Sequence, residues 1–192
     1  RPRVVFFNLR DEVLAVLPEN VLELANEKMD SAIDRLLEVY LNNAQGMPER
    51  WNTQAMRDKI CSWGLSGEWY DRLYEDFERN EYRLANFRDE LCKWLRFDLK
   101  ARAQQLQDKR DAMIHSSMLL AIDNQWKAML EETDHVRNGI QLRAYAQEKP
   151  DLAFQKEVFK LFKALYFDIP VVMIDYLYAC ITHQERVLEA QE

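Results

Sequence analysis

Glycine and proline are scarce in this sequence, with four and five in 192 residues. Turn-rich sandwiches and barrels need more of both, so the shortage argues against β architectures. Three cysteines (Cys61, Cys92 and Cys180), odd in number and scattered, do not make a disulfide framework and suit a reducing compartment. Basic residues are outnumbered, 26 against 33 acidic ones, for a formal charge of −7. Duplex nucleic acid or an anionic membrane repels that overall charge. No uninterrupted apolar run approaches the ~20 residues of a bilayer span, and nothing resembles a secretory signal. The sequence opens on Arg1-Pro2 rather than Met, as a piece of something longer would.

What is present is a helix-forming mixture. About half the residues (48%) are apolar, and the charged 31% are interleaved with Leu, Ala, Met and Gln. That much apolar material over this length can bury a core without staples. The expected class is therefore all-α.

The segment Val4–Leu17, ending at Pro18-Glu19-Asn20, reads as helix, because its strand-like run Val4–Phe7 has no second run to pair with. Asn20 is placed to cap a helix with apolar positions at Leu22, Ala25, Met29, Ile33, Leu36 and Tyr40. Asn42–Pro48 is the clearest linker. Beyond it four of the five tryptophans (Trp51, Trp63, Trp69, Trp94) fall within 51–94, with Tyr70, Tyr74, Phe77, Tyr82 and Phe87. Rings supply much buried area per residue, as a small helical lobe requires. Ser66 is placed to cap a helix there. The spacing Leu84, Phe87, Leu91, Leu95, Leu99, Ala103, Leu106 predicts a helix whose later part, 98–111, is polar and faces solvent.

A long helix follows from 112 to 142, with Gly139 near its end where a positive φ is useful. Pro150 suits the first turn of a further helix. That helix carries Phe154, Val158, Leu161 and Leu165 on one face and Phe159, Phe162 and Tyr166 on another, and Pro170 should kink or restart it. Helices at 112–142 and 151–168 form an αα-hairpin. The expected division is 1–43 as scaffold helices, 44–108 as an aromatic-rich subdomain, and 109–192 as hairpin and closing helix.

Complete catalytic chemistry is not legible. The glycines are too dispersed for a phosphate cradle, and no Ser lies in a Gly-x-Ser-x-Gly turn. Cys and His are too far apart for a zinc site. Glu132-x-x-His135 has the spacing of a di-iron carboxylate bundle but no second copy, and reads as a solvated helix turn. The thiols of Cys61 and Cys92 read as buried and structural. The informative stretch is the hairpin's bend. Residues 137–149 carry Arg137, Arg143 and Lys149 against Glu148, net +2 within a −7 chain. Tyr145 there either folds back onto its hairpin or grips other surfaces through ring and hydroxyl.

Trp126, Lys127, Leu130, Asp134, Arg137, Gly139, Ile140, Leu142, Arg143, Tyr145, Ala146, Gln147, Pro150, Lys156 and Glu157 share one register. In that register the segment resembles the two-helix finger of SecA, the preprotein-export motor of bacteria and plastids. The departures are Met129, Val136, Ala144, Glu148-Lys149, Phe154 and Pro170. Asn20–Leu41, with Asp34-Arg35 and Tyr40-Leu41, is similar to that family's scaffold helix, and 44–108 would then be its helical wing.

The resemblance implies that Tyr145, with Arg143, Gln147 and Arg137, meets unfolded preprotein at the mouth of a SecY-type channel. Trp126, Asp134, Gly139 and Pro150 would shape the finger. It further implies a cytoplasmic or stromal protein peripheral to its membrane, restraining an ATPase that lies elsewhere in the parent. No cofactor is expected in these residues; ATP and Mg belong to the parent's motor. A free-standing all-α interaction adaptor is the alternative.

Overall fold

The computed structural model describes residues 2–42, 51–81, 83–143 and 150–190. Among them are seven α-helices and no strand: α1 (Pro2–Ala15), α2 (Val21–Leu37), α3 (Thr53–Ser62), α4 (Gly67–Arg79), α5 (Leu84–Gln105), α6 (Arg110–Arg143) and α7 (Pro150–Glu189). Of the expected linker Asn42–Pro48, residues 43–48 lie outside the described residues, as does Tyr82.

Local chemistry accounts for some of the boundaries. Leu17 is extended (φ −67°, ψ 148°), as a residue before proline prefers, and Pro18 opens a three-residue 3-10 turn. The Val21 amide donates to the Pro18 carbonyl in that turn, and Asn20 makes no side-chain cap, contrary to expectation. Ser66 precedes α4 but also makes no capping bond. The working cap is Asn52, whose side chain accepts from the Ala55 amide at 3.1 Å at the start of α3.

The centre is built from α2, α6 and α7. In α2 the stripe Leu24, Ala25, Met29, Ala32, Ile33 and Leu36 is buried. Asn124 of α6 donates to the Tyr176 hydroxyl of α7 at 2.7 Å, whereas Arg137 lies over Phe154. Later residues of α6 thus meet earlier ones of α7, and the pair is antiparallel. Against α6, α1 also runs antiparallel: Val13 meets His115, Arg10 meets Asp123, and Phe6 meets Trp126. Two clamps, Asp34–Arg88 and Asp30–Arg96, tie α2 antiparallel to α5. Between α3, α4 and α5 lies a ring cluster in which Phe77 stacks on Phe87 (4.7 Å) and Trp69 on Trp94 (4.2 Å).

Two expectations for helix surfaces are corrected. Residues 98–106 do not face solvent as a block, since Leu99, Ala103 and Leu106 are buried. Their polar neighbours Asp98 and Arg102 find partners on α7, which removes the need for water. Second, α7 does not restart at Pro170: 150–189 is one helix. Packing on both sides of the proline outweighs one lost backbone bond. Cys92 is buried, and burial pushes its thiol up to about 12. Cys61 and Cys180 are half-buried, and all three thiols are free.

Candidate functional site

The hairpin of α6 and α7 carries the residues singled out from the sequence. Trp126 is half-buried against Phe6 (ring centroids 5.3 Å apart) and Phe7 (6.5 Å), which fixes α1 onto α6. About two and a half turns before the end of α6 the exposed Asp134 accepts from Arg137 at 2.9 Å, an i,i+3 pair. The same Arg137 guanidinium lies 5.7 Å from the Phe154 ring, so it bridges the two rods.

Gly139 is helical without a positive φ, and a Cβ added there would meet nothing within 4 Å. The expected use of Gly139 for a positive φ is therefore corrected, while the helix ends at Arg143, close to the expected 142. Pro150 is the first residue of α7, as its missing amide favours. Arg143 is the last residue of α6. Tyr145 and Gln147 lie outside the described residues, as do Ala144, Glu148 and Lys149.

The first half of α7 is apolar on two sides. Val158, Leu161, Phe162 and Leu165 pack against the core. Leu152, Phe159 and Tyr166, seven residues apart, are exposed on another face, with Lys163 4.8 Å above the Phe159 ring. Phe162 belongs to the packed side, 6.4 Å from Phe6, rather than with Phe159 as its spacing suggests.

The second half of α7 enters a polar joint that the sequence did not reveal. Arg102 of α5 donates through Nε and Nη2 to Glu185 (2.8 and 2.6 Å), through Nη2 to Thr182 (2.9 Å) and through Nη1 to the Trp63 carbonyl (2.9 Å). Its guanidinium also lies 5.3 Å from the Tyr178 ring. Gly64 has φ +84°, and a Cβ there would sit 2.9 Å from Arg102 Nη1. The glycine thus supplies both the turn and the room. Asp175 accepts from Lys59 Nζ at 2.6 Å through each oxygen, and from Trp63 Nε1 at 2.8 Å. The Tyr178 hydroxyl donates to Asp98 at 3.2 Å. Burial raises the Asp98 carboxyl above its ordinary value, against the opposing pull of Arg102 and Tyr178. Hydrogen bonding to Glu185 raises Arg102 further.

Glu132 and His135 are exposed on α6. No group of three or more His, Cys, Asp or Glu able to hold a metal ion occurs among the described residues. By length and composition α7 is the one helix among them able to cross a membrane. A sequence reading that stops the helix at Pro170 does not see it. The carboxylates of Asp168 and Asp175 within it are bound to Arg35 and Lys59, and Met173, Ile174 and Leu177 are buried among other helices.

Comparison with known proteins adds a lineage to this geometry. Residues 1–180 match the family described as the SecA Wing and Scaffold domain. A protein translocase subunit SecA from Chromohalobacter salexigens is 30% identical over 195 residues, covering 98% of this chain and 20% of that protein. The subunit from Nitrosomonas eutropha is 28% identical over 173 residues, covering 85% and 18%. That from Neisseria gonorrhoeae is 26% identical over 196 residues, covering 99% and 20%. The chain spans about a fifth of the length of these curated relatives.

Proposed function

The chain belongs to the SecA wing and scaffold family, and we propose that it serves a SecA-like translocase as the part that touches the moving polypeptide. In this reading residues 1–43 are scaffold helices, 44–108 the helical wing, and 109–192 the two-helix finger with the closing scaffold helix. The finger presents Tyr145, supported by Arg143, Gln147 and Arg137, to unfolded preprotein at a SecY-type channel. ATP and Mg are held by motor domains outside these residues, whose turnover the scaffold restrains. The protein works from the cytoplasmic or stromal side, peripheral to its membrane.

One observation carries the reading. The residues matching the finger pattern, Trp126 to Arg143 and Pro150 to Glu157, lie on two antiparallel rods that meet along their length. Two rods so paired bring Arg143, the last residue of one, and Pro150, the first of the other, to the same end of the hairpin. An aromatic there binds varied sequences because its ring and hydroxyl ask little of the partner's geometry.

The test is transport of a preprotein by the parent translocase into vesicles carrying its channel. Tyr145→Ala should lower the rate about tenfold or more, since truncating an aromatic anchor typically costs ~2 kcal/mol or more. Tyr145→Trp should keep most of it. Equal rates in all three proteins would contradict the proposal.

A further inference from the structure

Pro170 divides α7 into two lengths held in different ways. From 150 to 168 no residue is fully buried, whereas Ile169, Val171, Met173, Ile174, Leu177, Tyr178 and Ile181 all are. The later length is also gripped by side chains from other elements: Lys59 of α3 and the adjoining Trp63 on Asp175, Arg102 of α5 on Thr182 and Glu185, and Asn124 of α6 on Tyr176. Among the described residues the earlier length has one ion pair to another helix, Arg35 Nε to Asp168 at 2.7 Å.

At the junction the helix is chemically weakest. Proline has no amide to donate to the Tyr166 carbonyl, and its ring crowds that turn. A cleft of about 440 Å³ opens beside it, lined by Leu9, Lys28, Arg35, Phe167, Pro170 and Met173. Arg35 spans the cleft from α2, bonded to Asp168 and to Glu38 (3.0 Å), with its guanidinium 6.0 Å from the Phe167 ring.

We propose that Pro170 is a hinge in α7: the later half is clasped to α3 and α5, the earlier half swings toward the adjoining cleft, and the Arg35–Asp168 pair is the latch that holds it straight. Three independent features coincide at one residue: a backbone bond that cannot form, a change in how the helix is held, and open volume to move into. The packed side of the earlier half is only partly buried, so a tilt there uncovers less apolar surface than any movement beyond 170 would. The hinge is a property of this chain alone, and stands or falls independently of what the hairpin touches.

Spin labels carried on unnatural amino acids at positions 159 and 183, both exposed, report the bend while leaving the cysteines in place. A straight helix sets them about 36 Å apart along its axis, 24 rises of 1.5 Å. The wild-type chain should give a distribution about twice as wide as Pro170→Ala, with a shorter component the variant lacks, because alanine restores the missing amide. Arg35→Met should enlarge that shorter component. Pro170→Leu, checked by a cooperative melt, repeats the comparison should the alanine variant not fold. A wild-type distribution as narrow as that of the folded Pro170 variant, or one unmoved by Arg35→Met, would overturn the proposal.

Discussion

Arg102 uses all three of its nitrogens, on a carboxylate, a hydroxyl and a backbone carbonyl, at 14% side-chain exposure. Arg102→Met leaves Glu185, itself 21% exposed, without its partner. The loss should be about 2–3 kcal/mol in urea denaturation; a change below about 0.5 kcal/mol would show that the joint is ornamental. Tyr70 is the opposite case, buried with a hydroxyl that has no partner. Tyr70→Phe should leave stability within about 0.5 kcal/mol of the wild type or raise it, because the lost group was unsatisfied. Asp98 makes a prediction with a sign. Its folded pKa lies above the ordinary 3.8, so between those values the folded chain holds the extra proton. Stability relative to Asp98→Asn should therefore fall as pH rises through that window; a rise would contradict the burial argument. None of these three roles was legible in the sequence. Asp98 and Arg102 fall there in the polar stretch 98–111 expected to face solvent, and only the tertiary arrangement brings Glu185 and the Trp63 carbonyl to Arg102.

Helices with apolar positions at 3.6-residue spacing were legible, as α2, α5 and α6 show, because one buried stripe both defines the helix and orients it. Caps were not: Asn20 and Ser66 stand at helix starts yet make no capping bond, while the unremarked Asn52 does. A cap depends on the φ and ψ of a turn, which packing decides. The restart that Pro170 suggests does not occur for a related reason, since sequence gives the local cost of proline but not the neighbours that keep α7 one helix. Gly139 gives the prediction at this scale. It sits inside α6 with open space around its Cα, so Gly139→Ala should stabilise the isolated chain by about 0.5–1 kcal/mol. A loss in the melt would mean that the glycine serves the fold itself.

For the whole molecule the all-α class followed from scarce glycine and abundant helix formers, and the family from residues in fixed register near the bend. The joint between α3, α5 and α7 was out of reach, because it pairs residues about eighty to a hundred and sixteen apart in sequence. The bend itself, 144–149, lies outside the described residues, so its role rests on the rods to either side. The direct measurement places a photo-crosslinking amino acid at position 145, and separately at the inward Leu161, in the parent translocase during transport. Capture of the moving preprotein from 145 and not from 161 is the predicted result; capture from 161 with none from 145 would contradict a finger that meets its client at the apex.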